Sequence, residues 1–589
     1  MENDNWKLYP QNLTLREEIA RSLSISKTTA QILINRGIAS KEEAIFFLEG
    51  GLNDLHNPFL MKDMDKAVER VFKAKKDNEK VLVFGDYDAD GVTATSLLLI
   101  ALREFGITPS FYIPNRLTEG YGLNPEIIKK SNDEGFSLLI TADTGINSFR
   151  EIDLAGEIGL DLIVTDHHLP DSTIPDGFAI LNPRQHECNY PFKELAGVGV
   201  AYKFARAFLG DKCSEELLNE LIILSAFGTV ADVASLTGEN RILVKEGLWL
   251  MKGSRIQGFK DSSESRDPGD FESLTSESNE FTWIEELIKI SGFDKKELTS
   301  WHVGFLLAPM VNAAGRLGSA NYCVNLMTTK KKDVAQKITK FLDKENRTRQ
   351  SIEKKILEEA KEKIEKSVDL ENERVIVLSD EKWHPGILGI VASRISESYS
   401  RPAVLIGDNG KGSARSAVDF NIYKALKHCS QYLKSYGGHK SAAGLTIEKE
   451  KIKQFCHDIN RYGAENLSAK DLALTLWADC EIDFSDISFS LIEEIQKLAP
   501  FGIANPEPNL ISSNIRIEGE PRIVGKDHLK LKIIQDSTVF NSIGFKMGGS
   551  FDIGQHSETY QVIYSPSFNN WNGRKEIQLK LKGLRKLNQ

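Results

Sequence analysis

Three short stretches of this 589-residue chain share one design. Residues 80–86 read KVLVFGD, residues 137–143 read SLLITAD, and residues 161–168 read DLIVTDHH. Each is a run of β-branched and apolar residues that ends in an aspartate. Each is separated from the next by enough chain for a helix, and a further apolar run, PSFYIPN, lies between the first two. Strands alternating with helix-length segments build a parallel α/β sheet. Loops at the carboxyl ends of such strands are where sites form. The fold class is therefore α/β in this region, with acidic groups gathered along one edge of the sheet.

The rest of the composition sets outer bounds. At about 100–200 residues per domain, the length suggests several domains. Six cysteines are scattered at 188, 213, 323, 429, 456 and 480, with no CxxC pair. That pattern disfavours a zinc ribbon or a secreted disulfide framework and fits a reducing, cytoplasmic setting. The opening MENDNWKLYP has neither the basic nor the apolar region of a signal peptide. No apolar run reaches the roughly 18 residues of a membrane span. A formal net charge of -10 argues against nucleic-acid binding by the whole surface, but not by a local basic groove.

Along the chain the pattern changes several times. Residues 1–72 read as short amphipathic helices, for example SKEEAIFFLEGGL and MDKAVERVFKAKK. Residues 73–330 hold the α/β region. Within them, 254–279 are rich in Ser, Asp and Glu without an apolar period, which predicts a surface insertion. Residues 331–372 lack Gly and Pro and keep helical spacing, as expected of one long charged helix joining two domains. ERVIVLSD and RPAVLIG restart an α/β pattern in 373–462, and 463–589 alternate like a β-barrel.

The acids then pose a charge problem. Asp86, Asp88 and Asp90 are spaced by two, so an extended chain would point all three to one face. An EF-hand also begins D-x-D-x-D-G, but it needs Glu at its twelfth position, and Leu97 stands there. Asp143 and the group Asp166, His167 and His168 follow two further strands, and Asp232 interrupts the apolar run LSAFGTVADVASL. A buried acid is costly unless it is paired or metal-bound. Carboxylates with imidazole suit Mn2+ or Mg2+ rather than a thiolate zinc site. Two such ions about 3.5–4 Å apart are the apparatus of a phosphoester hydrolase.

The motifs DYDADG, TADTG, TDHH and GTVADV resemble the four motifs of the DHH phosphoesterases. PNRLTEGYGLN, NPRQHECNYPFKELAGVGVAYK, PMVNAAGRLG, HPGILGIVASRI, GSARS, YGGHKSAAG and PFGIANPEP follow in the order found in the RecJ single-stranded-DNA exonucleases, and together they span almost the whole chain. The resemblance implies a DHH domain and a DHH-associated domain joined by a long helix, with an OB-fold appended. It implies 5′-to-3′ hydrolysis of single-stranded DNA to mononucleotides with two Mn2+ or Mg2+ ions, in DNA repair and recombination. Metal ligands carry over to Asp88, Asp90, Asp143, His167 and Asp232, with Asp143 bridging. Asp86 is a ligand or an acid just behind the ligands. His168 contacts the scissile phosphate or orients the site, and Asp166 joins it among the catalytic residues. Smaller DHH enzymes carry a His four residues before the first paired Asp, where this chain has Phe84.

Other candidates handle phosphate and strand. Arg116, Arg316, Ser413 and Arg415 suit a 5′-phosphate pocket, since arginine is a bidentate phosphate donor. Gly437 and Gly438 allow close backbone approach, with His439 beside them. His384 and its neighbours suit a helix start that binds an anion or simply caps itself. GVGVAYK lacks the P-loop pattern, so no ATP site is expected. Residues 509–589 carry twelve Lys and Arg against seven Asp and Glu. That local excess, with Phe568, Trp571, Arg574 and Lys575, suits a single-strand track. A helicase and a single-strand-binding protein are the further partner classes to expect, and nothing in the sequence indicates an oligomer. Two rivals share the motifs: a DHH phosphodiesterase acting on oligoribonucleotides or cyclic dinucleotides, and a non-catalytic DHH scaffold that binds DNA or partners. The complete ligand set argues against the scaffold, and the long extension beyond the GGH motif against the small-substrate enzymes.

Overall fold

The computed structural model describes residues 5–587 apart from 117, 121, 254–280, 319, 469, 473–474, 550–557 and 572–573. The predicted insertion at 254–279 lies outside the described residues. The chain folds into two compact units. One comprises Glu49–Arg347 with Pro500–Pro506, and the other gathers the chain up to Leu48, Thr348–Ala499 and Glu507 onward. The helix Lys332–Ser367 carries the chain from the first unit into the second. Among the described residues, no helix is long and apolar enough to cross a membrane.

The first unit is built on a five-stranded sheet in the order Ser110–Tyr112, Lys80–Gly85, Phe136–Ala142, Asp161–Thr165, Ala179–Leu181. All four pairings are parallel. The central strands are buried, as helices on both faces demand, which is why they read as continuous apolar runs rather than as alternation. Leu98, Phe204, Leu221 and Leu243 belong to the large core on one face. Phe84 faces the opposite core, stacked on Tyr112 with ring centroids 5.9 Å apart. The position that is a His in smaller DHH enzymes is thus a packing position here, turned away from the acids' edge.

The second unit holds two larger sheets and one strand pair. In one, Ile376–Ser379 and Ala403–Ile406 pair in parallel across the helix Pro385–Tyr399, and Lys411–Arg415, Ala442–Ile447 and Leu433–Gly438 extend the sheet antiparallel. In the other, Leu510–Val524, His528–Gln535, Thr538–Gly544, Arg574–Lys586 and Tyr560–Trp571 pair in that order. Tyr560–Trp571 returns to Leu510–Val524 and closes a barrel.

The N-terminal segment forms the expected helices Leu13–Leu23, Lys27–Asn35, Lys41–Glu49 and Met64–Lys76. One element departs from the all-helical expectation. Asn5–Leu8 is a strand, paired in parallel with Thr475–Ala478. Four residues are too few to show a period, and the partner lies far along the chain, so only the long-range pairing makes this a strand. Asp479 secures the same junction. Its carboxylate accepts from Arg36 Nη1 at 2.8 Å, from Asn35 Nδ2 at 3.1 Å and from the Asn509 amide at 3.0 Å. Both side chains of the Arg36–Asp479 pair are 3% exposed.

Removing one partner of such a pair strands a buried charge and costs about 3–5 kcal/mol. Asp479→Ala should therefore lower the denaturation midpoint of the full chain markedly. Lys27→Ala, which loses only an exposed pair with Glu17, should leave it in place. Urea titration followed by circular dichroism compares the two, and equal midpoints for both variants would remove Asp479 from its structural role.

Candidate metal centre

Backbone hydrogen bonds extend the parallel ladder one step past the strands. The Asp86 amide donates to Ala142 O at 3.2 Å, Asp143 to Thr165 O at 2.9 Å, and Asp166 to Leu181 O at 3.0 Å. Three acids thus occupy equivalent positions at the ends of adjacent strands. Asp143 takes a left-handed conformation there, at φ 64°.

The expected single face for Asp86, Asp88 and Asp90 does not form. Extended chain stops at Gly85, and helix Ala89–Phe105 begins at once. Asp88 caps that helix, its Oδ1 accepting from the Asp90 and Gly91 amides at 3.0 and 3.1 Å. The cap competes with strand geometry and wins, because the buried helix start needs an acceptor. Asp90 therefore projects from the first helical turn. Glycine is required at 91, where a Cβ would lie 2.6 Å from Asp86 Cβ.

The acids converge all the same. Three groups of side chains each bring their ligand atoms within 4.8 Å of one another: Asp86, Asp88 and Asp143; Asp143, His167 and His168; Asp90, His167 and Asp232. His167 Nε2 lies 3.1 Å from Asp143 Oδ1, 3.8 Å from Asp90 Oδ2 and 3.9 Å from Asp232 Oδ2. Asp90 accepts the amides of Gly197 and Val198 at 2.7 and 2.8 Å. The GVGVAYK segment is thus an anion-binding helix start, but its anion is an internal carboxylate. Gly197 must be glycine, because a Cβ there would collide with the Asp143 carboxylate.

Charge crowding shows in the protonation of the group. Burial, reinforced by Asp88, raises Asp86 well above the carboxylate range. Burial and the neighbouring aspartates do the same for Asp143 and Asp232. Asp90 is pushed up to about 7, chiefly by burial. Burial, with help from His168, depresses His167 to about 3, which leaves it neutral and able to offer a lone pair. His168 behaves oppositely. Burial opposes its charge, yet the Asp166 carboxylate, 2.7 Å from its Nδ1, raises it to about 9. Asp166 also accepts the amides of His167, His168 and Ile146, so all its capacity goes into holding this loop. Although burial opposes it, bonding to His168 keeps Asp166 ionised.

Oδ1 of Asp86 and Oδ1 of Asp143 are buried and accept no hydrogen bond. Unpaired carboxylate oxygens in a cluster of oxygen and imidazole donors fit Mn2+ or Mg2+. The sequence did not single out the residues that hold this arrangement. Asn182 Nδ2 donates to His168 O at 2.9 Å, and Asn312 Oδ1 accepts the Ala89 amide at 2.9 Å. Asn312 lies in the NAAGR motif, four residues before Arg316. Gly315 of the same helix leaves no room for a Cβ against Tyr87 O.

Of the phosphate candidates, Arg116 lies over the Tyr87 ring at 5.0 Å, and the charges of Arg116 and Arg316 both act on Tyr87. In the second unit, Arg415 Nη1 donates to Ser413 Oγ at 2.9 Å, and Gly389 makes room for both side chains. Gly437 and Gly444 are strand neighbours, and Gly444 pairs with Ser413. Exposed Gly437 and Gly438 leave an open backbone patch beside Ser413, with exposed His439 next in sequence. His384 caps its own helix through Nδ1 and the Gly386 amide at 3.1 Å. On the barrel, Phe568 packs against Phe489 at 5.3 Å with Lys575 Nζ 3.7 Å above its ring. Arg574 is exposed nearby in sequence, and the Trp571 side chain lies outside the described residues.

Three family models match the chain: the DHH family N-terminal domain over 80–229, the DHHA1 domain over 372–465 and the RecJ OB domain over 478–583. The single-stranded-DNA-specific exonuclease RecJ of Bacillus subtilis (strain 168) is 36% identical over 584 residues, covering 98% of this chain and 70% of that protein. The crystal structure of RecJ from Thermus thermophilus in complex with Mn2+ superposes with a TM-score of 0.82 at 28% identity, covering 100% of this chain and 80% of that one. The Mg2+ complex gives a TM-score of 0.76 at 26% identity, covering 100% and 79%. Ligand chemistry, strand-end register, domain models and full-length identity agree, and the chain belongs to the RecJ family of DHH proteins.

Proposed function

We propose that this chain degrades single-stranded DNA from the 5′ end, with Asp86, Asp88, Asp90, Asp143, His167 and Asp232 as its metal-holding set. It is a metal-dependent, single-stranded-DNA-specific exonuclease of the RecJ family that uses Mn2+ or Mg2+. The observation that carries the assignment of residues is the membership of Asp143 in two of the three ligand groups, with one buried oxygen left unpaired. Bound ions supply charge neutralisation and a water of lowered pKa. The protein's own groups do the rest. Asp143 would be the ligand shared by both ions, neutral His167 would donate a lone pair, and Asp88 and Asp90 are aimed by two helix starts. His168, a cation secured by Asp166, meets the phosphate at the rim.

Arg415 with Ser413, the Gly437–Gly438 backbone with His439, and Arg116 with Arg316 form the phosphate contacts. Phe568, Arg574 and Lys575 lie on the strand-binding barrel, where basic side chains and partly exposed aromatics favour nonspecific single strands. The domains run 73–330, 373–462 and 463–589, with 331–372 as connector and 1–72 as the N-terminal segment. The protein works as a cytoplasmic monomer, with a helicase and a single-strand-binding protein as partners.

Asp143→Ala should slow hydrolysis at least about a hundredfold, since about 3 kcal/mol or more of transition-state stabilisation goes with a shared ligand. Single-strand affinity measured by fluorescence anisotropy should stay close to the parent's. A variant retaining a tenth of the parent rate in Mn2+ would remove Asp143 from its bridging position.

Arg415→Ala should slow degradation of 5′-phosphorylated strands more than of 5′-hydroxyl strands, read from initial rates on matched oligonucleotides. Equal losses on both would make Arg415 a general backbone contact.

The raised pKa values of Asp86, Asp90, Asp143, Asp232 and His168 mean that the folded metal-free chain binds protons more tightly than the unfolded one. Stability from these groups is fullest at low pH and is lost as pH rises through the raised values. His167 has the opposite sign, but its effect is complete by its ordinary value near 6.5. In EDTA the protein should melt lower at about pH 8.5 than at about pH 6.5, and Mn2+ should reverse that order by replacing protons. Calorimetry at both pH values checks it, and a metal-free chain that gains stability at the higher pH would contradict the crowding.

A further inference from the structure

Asn240 belongs to no recognised motif and touches no ligand side chain, yet it is fully buried beside the metal-holding segments. Its Nδ2 donates to two backbone carbonyls, Glu194 O at 2.5 Å and Ser235 O at 3.0 Å. Each carbonyl belongs to a segment that serves the group Asp90, His167 and Asp232.

Glu194 lies in a strap of consecutive backbone contacts. Lys193 O accepts from Arg184 Nε at 3.0 Å. The Leu195 backbone acts on the charge of the His167 ring. Gly197 and Val198 donate to Asp90. The position of the strap therefore sets the position of Asp90, whose Oδ2 lies 3.8 Å from His167 Nε2. Ser235 ends the turn that carries Asp232. That turn is strained: Val233, directly after Asp232, sits at φ 61°, a conformation poorly suited to a β-branched residue. The Asp232, Val233 and Ala234 amides close back onto the helix at Gly228, Val230 and Thr229. Beyond Ser235, Leu236 N is held by Ile503 O at 2.9 Å. A strained conformation persists only where its surroundings over-determine it.

We propose that Asn240 is a positioning residue that fixes the spacing of Asp90 relative to Asp232 around His167, and so sets the affinity of one of the two metal ions. The group Asp86, Asp88 and Asp143 has other supports, namely the strand-end ladder and Asn312. Losing Asn240 should weaken one ion and spare the other. The inference rests on the two-metal reading of the site.

The test is an Mn2+ titration of the full-length, EDTA-stripped chain, by calorimetry and by the electron paramagnetic resonance signal of free Mn2+. The parent should bind two ions. Asn240→Ala should bind one with parent affinity and the other at least about tenfold more weakly, for the loss of geometry around its ligands. Leu243→Ala removes a buried side chain from the same helix without touching either carbonyl. It should lower the melting temperature yet bind both ions as the parent does. Asn240→Ser replaces the alanine variant if that one is insoluble. Unchanged binding of both ions by the Asn240 variant, or the same selective loss in Leu243→Ala, overturns the proposal. A parent that binds fewer than two ions overturns the two-metal reading and the inference with it, an outcome distinct from two unaltered sites in the variant.

Discussion

Five aspartates brought to one edge of a buried sheet repel one another, and the architecture of the first unit answers that repulsion. Parallel pairing puts Asp86 and Asp143 at adjacent strand ends, and nothing in the sheet itself can neutralise them. Two helix starts supply part of the compensation: one is capped by Asp88, and the other aims two amides at Asp90. The remainder is met by protons when the chain is metal-free, as the raised carboxylates indicate, and by divalent ions when it is loaded. The cost of the cluster is what suits it to divalent ions rather than to a polar pocket.

The two histidines of the TDHH motif show how neighbours in sequence acquire opposite roles. His167 is turned into the carboxylates and buried, and it stays neutral. His168 is tied to Asp166, an acid kept ionised by that contact and by backbone amides, and it carries charge at neutral pH. A neutral imidazole is a ligand and a charged one is a partner for phosphate. One buried aspartate between them decides the difference.

Around this centre, precision comes from amide side chains and glycines. Asn182 and Asn312 hold backbone groups next to candidate ligands, Asn240 joins the two segments that carry Asp232 and contact Asp90, and Gly91, Gly197 and Gly315 permit approaches that a Cβ would forbid. Strain is stored at two points, Asp143 and Val233, both within one residue of a ligand position or on it. In the second unit the basic, closed barrel gives an acidic chain a local surface suited to a polyanion.

Much of this was legible in the sequence, because the signals are local. Apolar runs ending in aspartate predict parallel strands with acids at their carboxyl ends, and the sheet follows that order. The restart at ERVIVLSD, the long charged helix and the alternation after residue 463 likewise report burial patterns that each segment carries within itself. Where a local rule competed with another, the sequence misled. The i, i+2 spacing of Asp86, Asp88 and Asp90 suggested one strand face, but Asp88 caps a helix and the spacing becomes a turn. The strand Asn5–Leu8 is invisible alone, because its partner comes from far along the chain. Sequence by itself determined which residue types could hold metal and on which strand ends they stand. Tertiary structure decided which of them meet, which histidine is charged, and that Asn240 lies beside two of the segments holding them. Those outcomes depend on burial and on hydrogen bonds between residues distant in sequence, and no local pattern encodes them.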